Sequence, residues 1–533
     1  MRVMGIVLLM MVLFGIGIQP QVTEAQGEDL PMIPPEIAQA EGEWPLANRD
    51  YRNTRAVLDA AISSDNVDTL EEAWAFEIPG VGAWGAAATT PLIANGVVYL
   101  QDLQSNVFAL DFETGEVIWE KLYERAVLGP NGPGIGYGRV YVSSNIDTFA
   151  ALDINTGEEL WTKDTNGRPS GAIQPIVYGG HAYLTTQAGV AGEGEQNYVG
   201  YRAGTSGHIY AVNPATGDTV WEFQTVEEGF WGNPDINSGG GVWYPAGIDT
   251  EAGITFWGVG NPAPFPGTVD YPNATSRPGP NLYTNSMLAL DAQTGELLWY
   301  NQVKPHDLFD LDFHISPILT TATIDGQERR IAIGSGKLGR IVAIDRDSGE
   351  TIWDVEVGLH QNDNLQEIPD DEPTIVYPGQ LGGVENPMSL ADDTVYAIAV
   401  NLGTPHTATG WDAETGPDSV PRSEGRMDQR EGTSDIVALD VTTGEQRWET
   451  TLDTISFAGT TVVNDLLFVA TLDGIIYALT RDNGEIVWEY AAPGGINGLP
   501  AVTDDTIIFP VGLGSNPVLL ALRVPQGDST DGS

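Results

Sequence analysis

The chain contains no cysteine among its 533 residues. Disulfide bonds, thiolate metal sites, cysteine nucleophiles and covalent haem attachment through a Cys-x-x-Cys-His motif are therefore excluded. Histidine is scarce too, with 6 residues scattered along the chain, which is too few for a histidine-rich metal site. Any electron carrier that works with this chain must be a separate molecule.

Basic residues are also few, with 23 Lys and Arg against 74 Asp and Glu, a formal net charge of −51. Such a charge argues against nucleic acid or an anionic membrane as a partner. Self-repulsion of this size is easiest to tolerate where salt screens it. A saline external medium and a merely solubilising acidic surface are both consistent with the composition.

A long hydrophobic run occurs only near the start, from Val3 to Ile18. It is shorter than the roughly 20 residues that span a bilayer, and small residues follow it up to Ala25. Residues 1–25 are therefore predicted to be a secretory signal peptide, with a membrane anchor as the alternative. We expect a periplasmic or secreted protein without stable membrane insertion, a flexible segment at 26–43 and a disordered tail at 526–533.

Seven segments share the pattern Ala-x-(Asp/Asn/Thr)-x-x-(Thr/Ser/Asn)-Gly-(Glu/Asp)-x-x-Trp. Each copy predicts a strand, a tight turn that closes on glycine, and a second strand. The small Ala allows neighbouring sheets to approach, and the Trp covers the next sheet. The copies begin at Ala109, Ala151, Ala211, Ala289, Ala343, Ala438 and Ala478, and end at Trp119, Trp161, Trp221, Trp299, Trp353, Trp448 and Trp488.

The repeat and the 64 glycines predict an all-β propeller of four-stranded antiparallel blades over residues 44–525. An eighth blade is predicted from the two ends of this segment. Residues 72–76 resemble an outer strand without inner ones, whereas 507–510 and 518–524 resemble inner strands without an outer one. Pairing them would close the ring and remove exposed edges. The alternative is a lone strand packed on the side of a seven-bladed ring.

The repeat resembles the tryptophan-docking motif of the pyrroloquinoline-quinone (PQQ) dependent alcohol and methanol dehydrogenases. Two central segments, Gly258 to Phe265 and Pro305 to Asp310, also follow that family's order and spacing. The resemblance implies an exported quinoprotein dehydrogenase that oxidises an alcohol-type substrate with PQQ and a calcium or lanthanide ion. It also implies a separate soluble electron acceptor such as a cytochrome c.

The same resemblance implies roles for individual residues. Asp310 corresponds to the catalytic base and a metal ligand, and Asn261 to an amide-oxygen ligand of the metal. Trp243 corresponds to the indole on which the cofactor stacks, Lys337 to a cation near the quinone oxygens, and Asn401 to a further cofactor contact.

The resemblance implies two more metal ligands. Asp312 lies two residues after Asp310, as in family members that use lanthanides, although an acidic surface pair is the alternative in so acidic a chain. Glu193 is the nearest match to the family's carboxylate ligand and requires an insertion after it. An ungapped reading places Arg202 at that position instead, where a cation would repel the metal.

Three family contacts with the cofactor are missing from the sequence. Ala88 stands where many members have Glu, Pro133 stands where an Arg usually contacts a cofactor carboxylate, and the adjacent-cysteine disulfide is impossible. The loss of such an arginine removes a charge-assisted hydrogen bond of about 1.5 to 3 kcal/mol. The cofactor is therefore held differently or not at all. In the second case the chain is a non-catalytic propeller that serves as a binding or assembly platform.

Overall fold

The computed structural model describes most of the chain, in the ranges 30–127, 129–169, 174–191, 199–200, 203–369, 373–409 and 429–525. The predicted signal peptide and tail, and both Glu193 and Arg202, lie outside these ranges. Helix in the described residues is confined to single turns, at Pro35–Ala38, Val67–Thr69, Phe230–Gly232, Pro272–Ala274 and Gln429–Glu431. None of the described helices is long and apolar enough to cross a membrane.

Eight four-stranded antiparallel sheets form the blades of a propeller, as predicted. Blades 1 to 4, in chain order, consist of Leu92–Ala94, Val97–Gln101, Val107–Asp111 and Val117–Lys121; Gly134–Gly136, Arg139–Asn145, Thr148–Asp153 and Glu159–Asp164; Ile176–Tyr178, His181–Thr186, His208–Val212 and Thr219–Gln224; and Gly247–Asp249, Ile254–Gly258, Ser286–Asp291 and Leu297–Gln302. Blades 5 to 7 consist of Ile318–Ile324, Gln327–Gly334, Arg340–Asp345 and Thr351–Glu356; Ser389–Ala391, Thr394–Asn401, Thr433–Asp440 and Gln446–Leu452; and Thr461–Val463, Leu466–Ala470, Ile475–Thr480 and Ile486–Ala491.

Blade 8 combines the two ends of the propeller segment. Its outer strand is Glu71–Glu77, and its inner strands are Ala501–Val502, Thr506–Val511 and Val518–Arg523. The outer strand pairs antiparallel with the last strand of the chain, with Trp74 opposite Ala521. The predicted closure of the ring by both ends is therefore confirmed, and the seven-bladed alternative is wrong.

Each repeat tryptophan except Trp488, together with Trp74 of blade 8, lies over the motif glycine of the following blade. Its Nε1 donates a hydrogen bond of 2.8 to 3.1 Å to a backbone carbonyl three residues after the motif alanine of that blade. A Cβ on Gly157, for example, would lie 2.5 Å from Cε3 of Trp119. Trp488 packs instead against Phe468 and Tyr490, because blade 8 has no turn between its third and fourth strands.

The segment before blade 8 runs along the innermost strands of the ring. Trp44 exchanges two backbone hydrogen bonds with Ile93 of blade 1, and Tyr51 accepts one from Ile248 of blade 4. Residues 52 to 61 make further backbone bonds to blades 5, 6, 7 and 8. At Ala56–Val57 this segment pairs parallel to the inner strand of blade 7. It therefore ties most of the blades together at the ring's axis.

Residues 30–43, part of the segment predicted to be flexible, lie against blades 1 and 2. The carboxylate of Glu36 accepts hydrogen bonds from the backbone N–H groups of Tyr137 and Gly138. The carboxylate of Glu43 does the same for Asn95 and Gly96. Two glutamates thus fix this segment by satisfying N–H groups of blade hairpins, an interaction that has no periodic sequence pattern.

Insertions between the second and third strands lengthen blades 3, 4 and 6. They contain or contact three short antiparallel pairs, Val190–Ala191 with Val199–Gly200, Ser238–Gly239 with Pro262–Ala263, and Thr374–Val376 with Thr404–His406. All these insertions lie at one end of the ring, and the docking turns lie at the other.

Candidate active site

Two kinds of loop meet at one end of the ring. In a four-stranded antiparallel blade, the second and fourth strands end at the same edge, so the loops that follow them are neighbours. Asp310 and Asp312 lie in the loop from blade 4 to blade 5, and Lys337 lies in the turn after the second strand of blade 5. Asn261 follows the second strand of blade 4. The topology thus brings these four predicted residues to one end of the tunnel.

Lys337 joins the two predicted carboxylates. Its Nζ lies 2.7 Å from Oδ2 of Asp312 and 3.3 Å from Oδ2 of Asp310. Asp312 is fully buried, and Asp310 and Lys337 are 8% and 5% exposed. The sequence left open whether Asp312 belongs to an acidic surface pair; its burial excludes that interpretation. Asp310 also has a left-handed backbone conformation, with φ of 64°.

Asn261 is attached to the same cluster through its backbone. Its N–H donates a 2.6 Å hydrogen bond to Oδ1 of Asp312. The preceding residue must be glycine, because a Cβ on Gly260 would lie 2.6 Å from that same oxygen and 3.1 Å from the carbonyl of Gly241. The Gly-Asn sequence therefore lets the blade 4 loop approach the carboxylate closely.

Trp243 lies beside the charged cluster. The Nζ of Lys337 is 5.0 Å from the centre of its ring, within the range of a cation–π interaction. The ring of His314 lies 5.7 Å from both Trp243 and Tyr244. Burial lowers the pKa of His314 to about 4, so this imidazole is neutral at physiological pH. The cluster therefore has an aromatic wall with one cation against it.

Glu385 is a site residue that the sequence did not reveal. It precedes the inner strand of blade 6, and burial raises its pKa to about 8 despite the opposing effect of Lys337, while Asp312 and Asp310 raise it further. Its position in Gly-Val-Glu-Asn-Pro belongs to no repeat. The only sequence signal for Glu385 is that it precedes the inner strand of its blade, as Trp243 does in blade 4.

The electrostatics of the cluster are those of a site with excess negative charge. Burial raises the pKa of Asp310 to about 8; Lys337 opposes this shift, and the carboxylates of Asp312 and Asp307 add to it. Two carboxylates thus contact one buried ammonium group, whose charge also acts on Glu385. Asp310 and Glu385 remain protonated at neutral pH unless further positive charge stabilises their ionised forms.

These residues fit a bound cation. Oδ1 of Asp310 and Oε1 of Glu385 are buried and have no hydrogen-bond partner among the described residues. A hard cation would satisfy such oxygens together with an asparagine amide oxygen. Within the described ranges, however, no group of three or more His, Cys, Asp or Glu side chains is placed so that it could hold a metal ion by itself. The predicted ligand Glu193 lies outside those ranges.

A narrow cavity lies next to Trp243, at the tunnel end of the loops that precede the inner strands. Its wall includes Ala88 together with the polar side chains of Thr89, Asn131 and Gln174, and none of its described lining residues is charged. Oδ1 of Asn131 is buried there without a described hydrogen-bond partner. The wall therefore offers uncharged polar groups and an indole to a ligand, but it contains no arginine that would pair with a ligand carboxylate.

The predicted cofactor contact Asn401, and Pro133 at the position of the missing arginine, both bond to other parts of the protein. The side chain of Asn401 accepts a hydrogen bond from the N–H of Leu359 and donates to Asp435 at 2.7 Å. These bonds hold a blade 6 loop in place. The carbonyl of Pro133 accepts a hydrogen bond from Gln174.

Two protein families match the sequence. The family described as "Glucose/ethanol/alcohol dehydrogenase, beta-propeller domain" matches residues 190–367, and the family described as "Outer membrane protein assembly factor BamB" matches residues 59–234 and 432–527. All members of the charged cluster except Glu385 lie within the first match.

Individual relatives agree with the first match. A putative dehydrogenase XoxF from Paracoccus denitrificans is 25% identical over 86% of this chain and 84% of its own length. The quinohemoprotein alcohol dehydrogenase ADH-IIG from Pseudomonas putida is 27% identical over 86% of this chain and 70% of its own length.

Solved structures share the fold. The quinohemoprotein alcohol dehydrogenase from Comamonas testosteroni superposes with a TM-score of 0.77 at 22% identity, covering 93% of this chain and 82% of that one. A europium-containing methanol dehydrogenase superposes with a TM-score of 0.71 at 18% identity, covering 92% and 99%. With its eight blades, its tryptophan wall and its buried aspartates, the chain is a homologue of the PQQ-dependent (quinoprotein) alcohol and methanol dehydrogenases.

Proposed function

We propose that this protein is an exported quinoprotein dehydrogenase that oxidises an alcohol-type substrate with PQQ and a metal ion. The observation that carries the proposal is the buried arrangement of Asp310, Lys337 and Asp312 beside Trp243. Burial of unpaired charge is costly, so a protein retains such a cluster where chemistry requires it. The family relationship of the chain supports the same reaction.

Asp310 is the proposed catalytic base. Its Oδ1 has no described partner, so a lone pair of this oxygen that is not directed at the metal ion is available to accept the hydroxyl proton of an alcohol. Lys337 holds Oδ2 of the same carboxylate and therefore fixes its orientation. Because only the ionised carboxylate accepts a proton, positive charge near Asp310 favours the active form.

The proposed cofactor contacts follow from the same geometry. The indole of Trp243 would stack on the plane of PQQ, and Lys337 would lie near its quinone oxygens. Asn401 is also proposed as a cofactor contact, although its side chain bonds to Leu359 and Asp435. Asn261, Asp310, Asp312 and Glu193 would hold the metal ion. When bound, PQQ would accept two electrons from the substrate, and the metal ion would polarise the quinone.

The nature of the metal and of the partners is also a proposal. We propose calcium or a lanthanide as the metal ion. The buried Asp312 adds a carboxylate that suits a trivalent lanthanide, and the structural similarity to a europium-containing methanol dehydrogenase supports the lanthanide alternative. The signal-like start of the sequence supports a periplasmic or secreted location. Because the chain has no cysteine, electrons would pass to a separate acceptor such as a cytochrome c.

Reconstitution tests the proposal. The full mature chain is mixed with PQQ and either calcium or a lanthanide, and the absorption of bound cofactor is recorded before dye reduction is measured with a panel of alcohols. We expect cofactor binding in the presence of at least one metal and alcohol-dependent dye reduction. Absence of spectral binding with every metal would contradict the proposal.

A second candidate is a non-catalytic platform for binding or assembly. The match to the outer membrane assembly family over blades 1 to 3 and 7 to 8 favours it, as do Ala88 and Pro133. However, that match omits residues 235–431, which contain every described member of the charged cluster. A chain that binds no PQQ in the reconstitution yet folds normally would support the platform.

A further inference from the structure

Asp310 is held in its unusual backbone conformation by a neighbouring carboxylate. Asp307 is fully buried, and its two oxygens accept hydrogen bonds from the N–H groups of Phe309 and Leu311, at 2.9 and 2.8 Å. These N–H groups flank Asp310, whose φ of 64° lies in the left-handed region. Because non-glycine residues rarely adopt this conformation, surrounding contacts must maintain it.

Arg277 connects this loop to the loop that carries Asn261. Its guanidinium is fully buried and donates to the carbonyl of Asp307 at 2.6 Å. It also donates twice to the carbonyl of Pro264, at 3.0 and 3.2 Å, and once to Oδ1 of Asn281 at 2.7 Å. Pro264 lies three residues after Asn261, and Asp307 lies three residues before Asp310.

We propose that Arg277 and Asp307 form a positioning clamp that fixes the base Asp310 and the ligand Asn261 relative to each other. The inference rests on the proposed function, since it assigns the clamp to that same site. Both are positioning residues, because they act on Asp310 and Asn261 through backbone hydrogen bonds and not by contact with substrate or cofactor. Asp307 sets the direction of the Asp310 side chain, and Arg277 sets the separation of the two loops.

A purely structural role would give a different pattern, because any buried arginine contributes to stability. Arg346 provides the matched control. It is 9% exposed and joins blade 5 to blade 4 through a 3.0 Å contact to Asp249, at the opposite end of the blades from the site. Loss of either guanidinium removes a buried charge and its hydrogen bonds.

The test compares the variants Arg277→Met, Arg277→Lys, Asp307→Asn and Arg346→Met of the full mature chain. Three quantities are measured: the melting temperature, kcat and KM of the reconstituted enzyme, and the affinity for terbium(III), detected by its luminescence on tryptophan excitation. Supporting contacts of metal ligands typically contribute 10- to 100-fold to affinity or activity. We therefore expect Asp307→Asn and Arg277→Met to lower kcat and terbium affinity by about 10- to 100-fold, with KM for the alcohol changed far less.

Arg277→Lys keeps the charge and part of the hydrogen bonding, so we expect it to recover part of the loss. Arg346→Met should lower the melting temperature without changing kcat or terbium affinity. Folded Asp307→Asn and Arg277→Lys proteins with wild-type kcat and terbium affinity would overturn the clamp, as would an equal loss of kcat in Arg346→Met. A wild-type chain that binds terbium but oxidises no alcohol would overturn the proposed function, and the terbium titration alone would then decide on the clamp.

Discussion

The docking turns and the tunnel site use the same residue, aspartate, under opposite conditions. In the turns, Oδ1 of Asp291 accepts hydrogen bonds from the N–H groups of Gln293 and Thr294. Partial burial acts to raise the pKa of Asp291, but these hydrogen bonds outweigh it and lower the pKa below its usual range. At the site, burial dominates and raises the pKa of Asp310 to about 8.

The difference shows how solvent decides the role of a carboxylate. A turn aspartate stays ionised because water and backbone N–H groups both stabilise its charge, so it contributes to folding. A tunnel aspartate loses water and gains one shared ammonium group, so its charge is expensive and its proton affinity is high. Repetition of the first kind around the ring builds the scaffold, and the second kind occurs at one end of the tunnel.

The largest expected effect is that of Asp310→Asn on activity. We expect kcat of the reconstituted enzyme to fall by about 10²- to 10⁴-fold, since the amide cannot accept the substrate proton. Dye reduction with the best alcohol of the panel measures this loss. Asp291→Asn is the matched control and should leave kcat unchanged.

The Asp310→Asn variant also tests how the stability of the site depends on pH. A carboxyl group whose pKa is raised on folding favours the folded state while it is protonated, and this contribution is lost as pH rises through about 8. Glu385 titrates in the same direction, while Lys337 opposes both shifts. The melting temperature of the metal-free chain should therefore decline less between pH 5 and pH 8 in Asp310→Asn than in wild type. An identical decline would contradict the buried-charge account.

A smaller, purely structural effect is expected at the docking turns. Gly157 has φ of 70°, and a Cβ there would lie 2.5 Å from the ring of Trp119. Gly157→Ala should cost about 1 to 2 kcal/mol for the left-handed backbone and about 1 to 3 kcal/mol for overpacking. Gly167 has φ of 76° with no atom within 4 Å, so Gly167→Ala should cost only the backbone part. Denaturant unfolding of both variants measures the difference, and equal losses would show that the tryptophan contact is loose.

The smallest effect is expected from a single turn carboxylate. Asp291→Ala removes the acceptor for two N–H groups and should destabilise the chain by about 0.5 to 2 kcal/mol, as the loss of a helix cap does. Because the pKa of Asp291 is lowered on folding, its stabilisation is present above the usual carboxyl pKa and is lost as pH falls through the folded value. The difference in melting temperature between wild type and variant should therefore shrink at low pH. A constant difference would point to the lost side-chain packing instead.

Local spacing was sufficient to predict the ring. Ala, Gly and Trp recur at fixed offsets because each docking contact involves one turn and one strand of adjacent blades, and the structure confirms the predicted turns at Gly115 and its equivalents. The pairing of residues 71–77 with the last strand was predictable because each end lacked the strands that the other supplies.

The site was only partly predictable. Asn261, Asp310, Asp312 and Lys337 were predicted from the order and spacing of a known family, and the structure brings them together. Glu385 was missed because it approaches Lys337 from another blade and belongs to no motif. Asn401 lies at the predicted end of its strand, but its side chain bonds to Leu359 and Asp435, and such a choice of partner depends on loops distant in sequence.

The sequence by itself determined the number of blades and their docking, because the repeats are short-range and the two ends of the propeller segment supply each other's missing strands. Only the tertiary structure decided which of the many acidic side chains are buried together, and hence which have raised pKa values. The physical reason is that burial and shared charge arise from contacts between blades, which no single stretch of the chain encodes.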